Sequence, residues 1–145
     1  MHLIALGLLL ACPDLTGKYA TCRSTTGNST GASDLEVSQV IKNGASEYTI
    51  SSIDSSSHER ESLSYRADGK THVQTETDPD SGTILSLATT VTCVGKELRS
   101  KMVLTYGGEI YSTLTTKITR EGKTLTQVVK GLNMGENINE TIVCD

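Results

Sequence analysis

The sequence predicts an all-β fold, an antiparallel meander of about ten strands closed into a barrel. Three observations predict it. Turn signals recur at close intervals: Thr26-Gly27, Asn43-Gly44, Asp68-Gly69, Asp78-Pro79-Asp80-Ser81-Gly82, Gly95, Gly107-Gly108, Glu121-Gly122 and Gly135. The runs between them alternate apolar with polar residues or are rich in β-branched ones. Ser and Thr together make up about a quarter of the 145 residues, while Phe and Trp are absent. Such a composition suits strands with a solvated face and leaves Leu, Ile, Val and Met to build the core.

The first element is not a strand. Leu3 to Ala11 (LIALGLLLA) is an apolar run, too short for a bilayer, which takes about 20 residues, but of the length of a signal peptide. Its end, Leu9-Leu10-Ala11-Cys12, resembles a bacterial lipobox. That resemblance implies a signal peptide over 1–11 and lipid attachment at Cys12, the head of a single domain spanning 12–145. It also implies export to the bacterial cell envelope, with a lipid anchor in the membrane on the periplasmic side or in the outer membrane.

The spacing then predicts strands near 17–23, 36–42, 46–54, 61–67, 71–77, 83–94, 97–106, 109–120, 123–133 and 137–144. The long Gly/Ser/Thr-rich connection from Ser24 to Leu35 reads as a loop or cap. A sheet of this length hides its edges by closing on itself.

Register is legible in the second half. Leu98, Ser100, Met102, Leu104 and Tyr106 form one inward set, and Ile110, Ser112, Leu114, Thr116 and Ile118 the next. A three-residue loop, Gly107 to Glu109, pairs Leu98 with Ile118, Met102 with Leu114 and Tyr106 with Ile110; a two-residue loop mixes the faces. Across Glu121-Gly122, Ile118 meets Leu125, Thr116 meets Gln127 and Leu114 meets Val129. Back across Gly95-Lys96, Cys93 meets Leu98 and Leu87 meets Leu104. The inward face thus mixes apolar residues with Ser100, Ser112, Thr116, Gln127 and Glu140. Unpartnered buried polar groups cost about 1–3 kcal/mol each, so several on one face point to internal water or a ligand. The expected cavity lining is Leu87, Ser100, Met102, Leu104, Tyr106, Ser112, Leu114, Thr116, Gln127, Val129 and Glu140. Its expected occupant is a small apolar or amphipathic molecule.

Four cysteines, Cys12, Cys22, Cys93 and Cys144, are too widely spaced for a zinc site. With Cys12 lipidated, one disulfide and one buried thiol remain. Cys22–Cys144 is the favoured pair, because a closed barrel sets its first strand beside its last. A Cys93–Cys144 bridge would require a flattened barrel, since a disulfide holds Cα atoms about 5.5–6 Å apart.

The start Leu15-Thr16-Gly17-Lys18-Tyr19, the ten-strand meander and the hairpin Ile118 to Leu125 resemble the calycin barrels, the intracellular fatty-acid-binding proteins first and the lipocalins next. The resemblance implies an up-and-down barrel around an apolar ligand. That fatty-acid-binding family holds a carboxylate with an Arg-x-Tyr pair on its last strand. Here Ile138-Asn139-Glu140-Thr141-Ile142-Val143 carries no Arg, so a carboxylate held in that way is not expected. Val91-Thr92-Cys93-Val94-Gly95 and the terminal Cys resemble small periplasmic lipoproteins that inhibit lysozyme. That resemblance implies an alternative, a protein-binding module working through an outer surface such as Arg99, Lys101 and Lys117.

Other chemistry is not expected. The formal net charge of −4 argues against a nucleic-acid partner. His2, His58 and His72 are scattered, and no nucleophile–base arrangement follows from them. Asp78-Pro79-Asp80-Ser81-Gly82 opens like a calcium loop without its distal Glu and reads as a tight turn. The sequons at Asn28 and Asn139 are of the kind that arise by chance in a Ser/Thr-rich chain. A non-enzymatic binding protein without metal or cofactor is the expectation.

Overall fold

The computed structural model describes residues 12–26 and 33–145; the segment 1–11, expected from sequence to be a signal peptide, lies outside them. The strands are β1 (Gly17–Ser24), β2 (Ser33–Lys42), β3 (Ala45–Asp54), β4 (Arg60–Ala67), β5 (Thr71–Thr77), β6 (Ile84–Val94), β7 (Glu97–Tyr106), β8 (Glu109–Glu121), β9 (Thr124–Asn133) and β10 (Glu136–Cys144). The run from Ser33 to Leu35, read from sequence as part of the connecting loop, extends β2, because Ser33 pairs with Asp54 and Leu35 with Ser52.

All ten strands form one antiparallel sheet in the order β4-β3-β2-β1-β10-β9-β8-β7-β6-β5. The sheet curls through 296°, with β1 paired to β10 as a barrel requires. Closure stops at one place. β4 and β5 follow one another in the chain yet form the two edges of the sheet. Their turn is tied elsewhere: Gly69 N–H donates to the Val91 carbonyl on β6 at 3.0 Å. Asp68 in the same turn gathers Lys70 N–H, His72 and Arg66 around its carboxylate.

The register of β6 and β7 is the one read from alternation, with Cys93 opposite Leu98 and Leu87 opposite Leu104. Two hairpins differ in detail. Between β7 and β8, Leu98 meets Ile118 and Met102 meets Leu114, but the loop has two residues, Gly107 and Gly108, and Tyr106 meets Glu109. A bulge at Tyr111 absorbs the extra residue, so the strand bodies keep the faces that a three-residue loop would have given. Between β8 and β9 the turn is centred on Gly122 and Lys123, so Ile118 meets Gln127, Thr116 meets Val129 and Leu114 meets Gly131. That is a shift of two residues, and a period of two leaves every side chain on its expected face.

The core gathers at one end of the curl. Leu15, Tyr19, Val37, Tyr48, Leu98, Leu125 and Cys144 are all nearly inaccessible there. The segment ahead of β1 plugs this end: Tyr19 donates its hydroxyl to the Leu15 carbonyl at 2.7 Å, and Tyr48 donates to that of Pro13 at 2.6 Å. Polar groups in this core are matched. Among the described residues, no buried side-chain nitrogen or oxygen lacks a hydrogen-bond partner.

All four cysteines are bridged. Cys22 and Cys144 form one disulfide, Cα atoms 4.0 Å apart. Cys22 reaches the end of β10 from mid-strand, helped by a bulge between Tyr19 and Cys22 where Thr21 adopts φ 51°. Cys12 and Cys93 form the other, Cα atoms 5.2 Å apart. The bridge differs from the expectation of one disulfide beside a buried Cys93 thiol, and it engages the Cys12 sulfur that the lipobox resemblance assigned to a thioether-linked lipid; the two uses of that sulfur are mutually exclusive.

Candidate functional site

Away from the plugged end the interior is open. Alternation places Leu63, Tyr65 and Ala67 of β4 on the inward face, opposite Ile50, Tyr48 and Ser46 of β3. On the other side of the gap, β5 turns His72 and Gln74 inward opposite Thr89 and Leu87. Two adjoining hollows that share Ser62, Leu63 and Tyr65 form a chamber of two lobes, the first between these walls and the second against β1 to β4 and β9 to β10. One, about 390 Å³, is lined by residues that include Leu63, Tyr65, Gln74, Leu87, Thr89 and Met102. The other, about 300 Å³, is lined by residues that include Cys22, Leu35, Ile50, Leu63, Gln127 and Ile142. Tyr65 borders both lobes.

Tyr65 is the polar group best placed to meet an occupant. Burial pushes its phenol above the ordinary value, which keeps it a neutral hydrogen-bond donor and acceptor. Among the described residues nothing hydrogen-bonds its hydroxyl, whereas the Tyr19 and Tyr48 hydroxyls are spent on the plug. Burial also drives the Tyr48 phenol up, to about 12.

The charge around the chamber is one-sided. Glu61 borders the second lobe. Arg66 and His72 border the first, and both are engaged. Arg66 sits 3.0 Å from Glu47 and 3.3 Å from Asp68, and His72 Nε2 is 2.7 Å from Asp68. The Asp68 carboxyl is held below its ordinary range, chiefly by the Lys70 N–H and then by His72 and Arg66. Arg120, on the inward face of β8, is held at the plug by the carbonyls of Gly122 and Thr16, both at 2.8 Å, and lies over the Tyr19 ring. Among the described residues, no inward Arg is therefore left free to receive an anion.

The residues expected to line a cavity are distributed differently. Leu87 and Met102 border the larger lobe and Gln127 the smaller. Ser100 meets Tyr65, Leu98 and Ile118 around a crevice of about 10 Å³ between them. Leu104, Leu114, Thr116, Val129 and Glu140 keep the inward register without bordering either lobe. Ser112 is turned into the sheet, where its hydroxyl donates to the Leu132 carbonyl at 3.2 Å and to Asn133 at 3.0 Å. Tyr106 lies at the rim, its hydroxyl 3.3 Å from the Asp78 carboxylate. Asp78 in turn accepts from the N–H groups of Asp80 and Ser81, which shapes the β5–β6 turn. The walls supplied by β3 to β5 are missing from the sequence expectation. The alternation Glu61, Leu63, Tyr65 carried their signal, but nothing local says that this face meets β6 across a gap.

An antiparallel ten-stranded meander curled around a hollow and left open along one seam is a half-barrel, an architecture consistent with a calycin-like fold. Among solved structures, the chain is similar to a REP1-NXSQ fatty acid transporter, with 14% identity, a TM-score of 0.55, and alignment over 91% of this chain and 95% of that one. At that identity the likeness concerns the fold. No protein-family model matches the sequence, and no curated protein matches it.

Proposed function

We propose that the protein is an exported, non-enzymatic binding protein that holds a small apolar or amphipathic molecule inside its open barrel. The observation that carries this reading is the two-lobed chamber meeting at Tyr65. Its volumes fall within the range of ligand sites, about 300–1,000 Å³. Its walls are mostly apolar, and the Tyr65 hydroxyl at the meeting of the lobes is placed to orient a polar head. The fatty acid transporter neighbour supports a lipid-like occupant. Glu61 and the absence, among the described residues, of a free inward Arg favour a neutral or cationic head over a carboxylate. Two disulfides support export, since such bonds persist in oxidising compartments.

The test uses the absence of Trp from the chain. Met102→Trp places a lone indole in the wall of the larger lobe. Long-chain alcohols, amines and carboxylates titrated into this variant should change its emission in a saturable way, and native mass spectrometry of the wild type should show retained molecules of the same class. An indole that responds to no amphiphile, with an empty mass spectrum, would refute the reading.

A further inference from the structure

A second concavity, of about 440 Å³, lies on the outer face of β6 to β9. Two rows of side chains cross these strands in register. Thr90, Lys101, Thr115 and Lys130 form one, and Thr92, Arg99, Lys117 and Val128 the other. Four cations thus stand on three adjacent strands of a chain whose formal net charge is −4. Arg99 and Lys117 are direct cross-strand partners, a like-charge pairing that weakens a sheet.

Glu97 relieves part of this. Its carboxylate lies 2.6 Å from Arg99 Nη2 and 3.8 Å from Lys117 Nζ. Lys101 and Lys130 have no ion-pair partner among the described residues. The groove therefore keeps a surplus of three positive charges, four cations against one carboxylate. Nothing in the fold requires that surplus: the core is complete beneath it, and an alternating-charge face would be more stable.

We propose that this groove is a binding site for a small multivalent anion of the phosphate class. The volume is that of a small-molecule site. Three inter-strand steps give it a length on the order of 14 Å, room for two or more phosphate groups. The ammonium groups of Lys101, Lys117 and Lys130 are compact, rotatable donors suited to phosphate oxygens, while the Arg99 fork is already committed to Glu97. Thr92 and Thr115 add hydroxyls along the floor. The site is independent of the chamber, which lies on the opposite face of the same strands.

Inorganic tripolyphosphate is the probe, followed by amide chemical-shift changes and calorimetry at low salt. Shifts confined to β6–β9 around Lys101, Lys117 and Lys130 are expected, with affinity falling at least about tenfold between roughly 50 and 500 mM salt. Lys101→Gln with Lys130→Gln should weaken binding about tenfold or more while the Met102→Trp emission and the unfolding midpoint stay unchanged. Co-sedimentation with vesicles of phosphatidylcholine, with and without a phosphorylated inositol lipid, identifies the source. Sedimentation with the phosphorylated vesicles alone assigns a lipid headgroup, and its absence beside tripolyphosphate binding assigns a free molecule. No shifts at millimolar tripolyphosphate, shifts located elsewhere, or undiminished binding by the double variant would overturn the proposal.

Discussion

Tyr48 and Tyr65 face each other as a register pair on β3 and β4, and their hydroxyls have opposite fates. That of Tyr48 is locked 2.6 Å from the Pro13 carbonyl and belongs to the plug. That of Tyr65 is free in the chamber. One residue type at paired positions thus serves stability in one case and is available for recognition in the other.

Conservative substitution should separate them. Tyr48→Phe leaves the Pro13 carbonyl without its donor and should cost about 1–2 kcal/mol in urea unfolding. Tyr65→Phe should stay within about 0.5 kcal/mol of wild type, yet weaken a polar-headed chamber ligand roughly three- to tenfold. Equal effects on stability would contradict the assignment.

Alkaline pH probes the same pair. The Tyr48 phenol is raised from its ordinary value to about 12, so the fold favours its neutral form. Its contribution to stability is whole below pH about 10, where the unfolded phenol is also neutral, and drains away as pH rises through 12. Ultraviolet titration should show a late-ionising tyrosine that Tyr48→Phe removes. The loss of stability between about pH 10 and pH 12 should be smaller in that variant, which lacks the titrating phenol.

The disulfides bind the plug and the chain ends to the barrel, with partners 81 and 122 residues apart in sequence. Cys12→Ser with Cys93→Ser should cost about 2–5 kcal/mol, as should loss of the other pair. Non-reducing peptide mapping should recover Cys12 with Cys93 and Cys22 with Cys144. A lipid-modified peptide carrying Cys12 would contradict the first bridge.

Gly131 marks a close approach of β9 to β8. It has φ 151°, and a Cβ there would fall 1.9 Å from the Thr113 carbonyl oxygen. Gly131→Ala should therefore destabilise by about 1–3 kcal/mol, measured as a shift in the unfolding midpoint. The nearby Gly135 faces open space, and its φ of 81° sets a smaller, purely local cost.

The sequence by itself determined the strands, their order as a meander and, in the second half of the chain, the face of each side chain. Turn residues and period-two alternation are local properties, and even a two-residue slip, as between Ile118 and Gln127, keeps the faces. It also pointed to Cys22 with Cys144, because a curled meander must bring β1 to β10. The tertiary structure decided what depends on distance across the curl. Cys12 looks like the end of an export signal in one dimension, and only the packing of residues 12–16 under the barrel brings it to Cys93. The seam between β4 and β5 arises because the turn at Asp68 bonds to β6 instead of holding its own two strands together. Tyr65 gained its place in the chamber in the same way, since alternation turns it inward but only closure of the curl sets it facing Leu98 and Ile118.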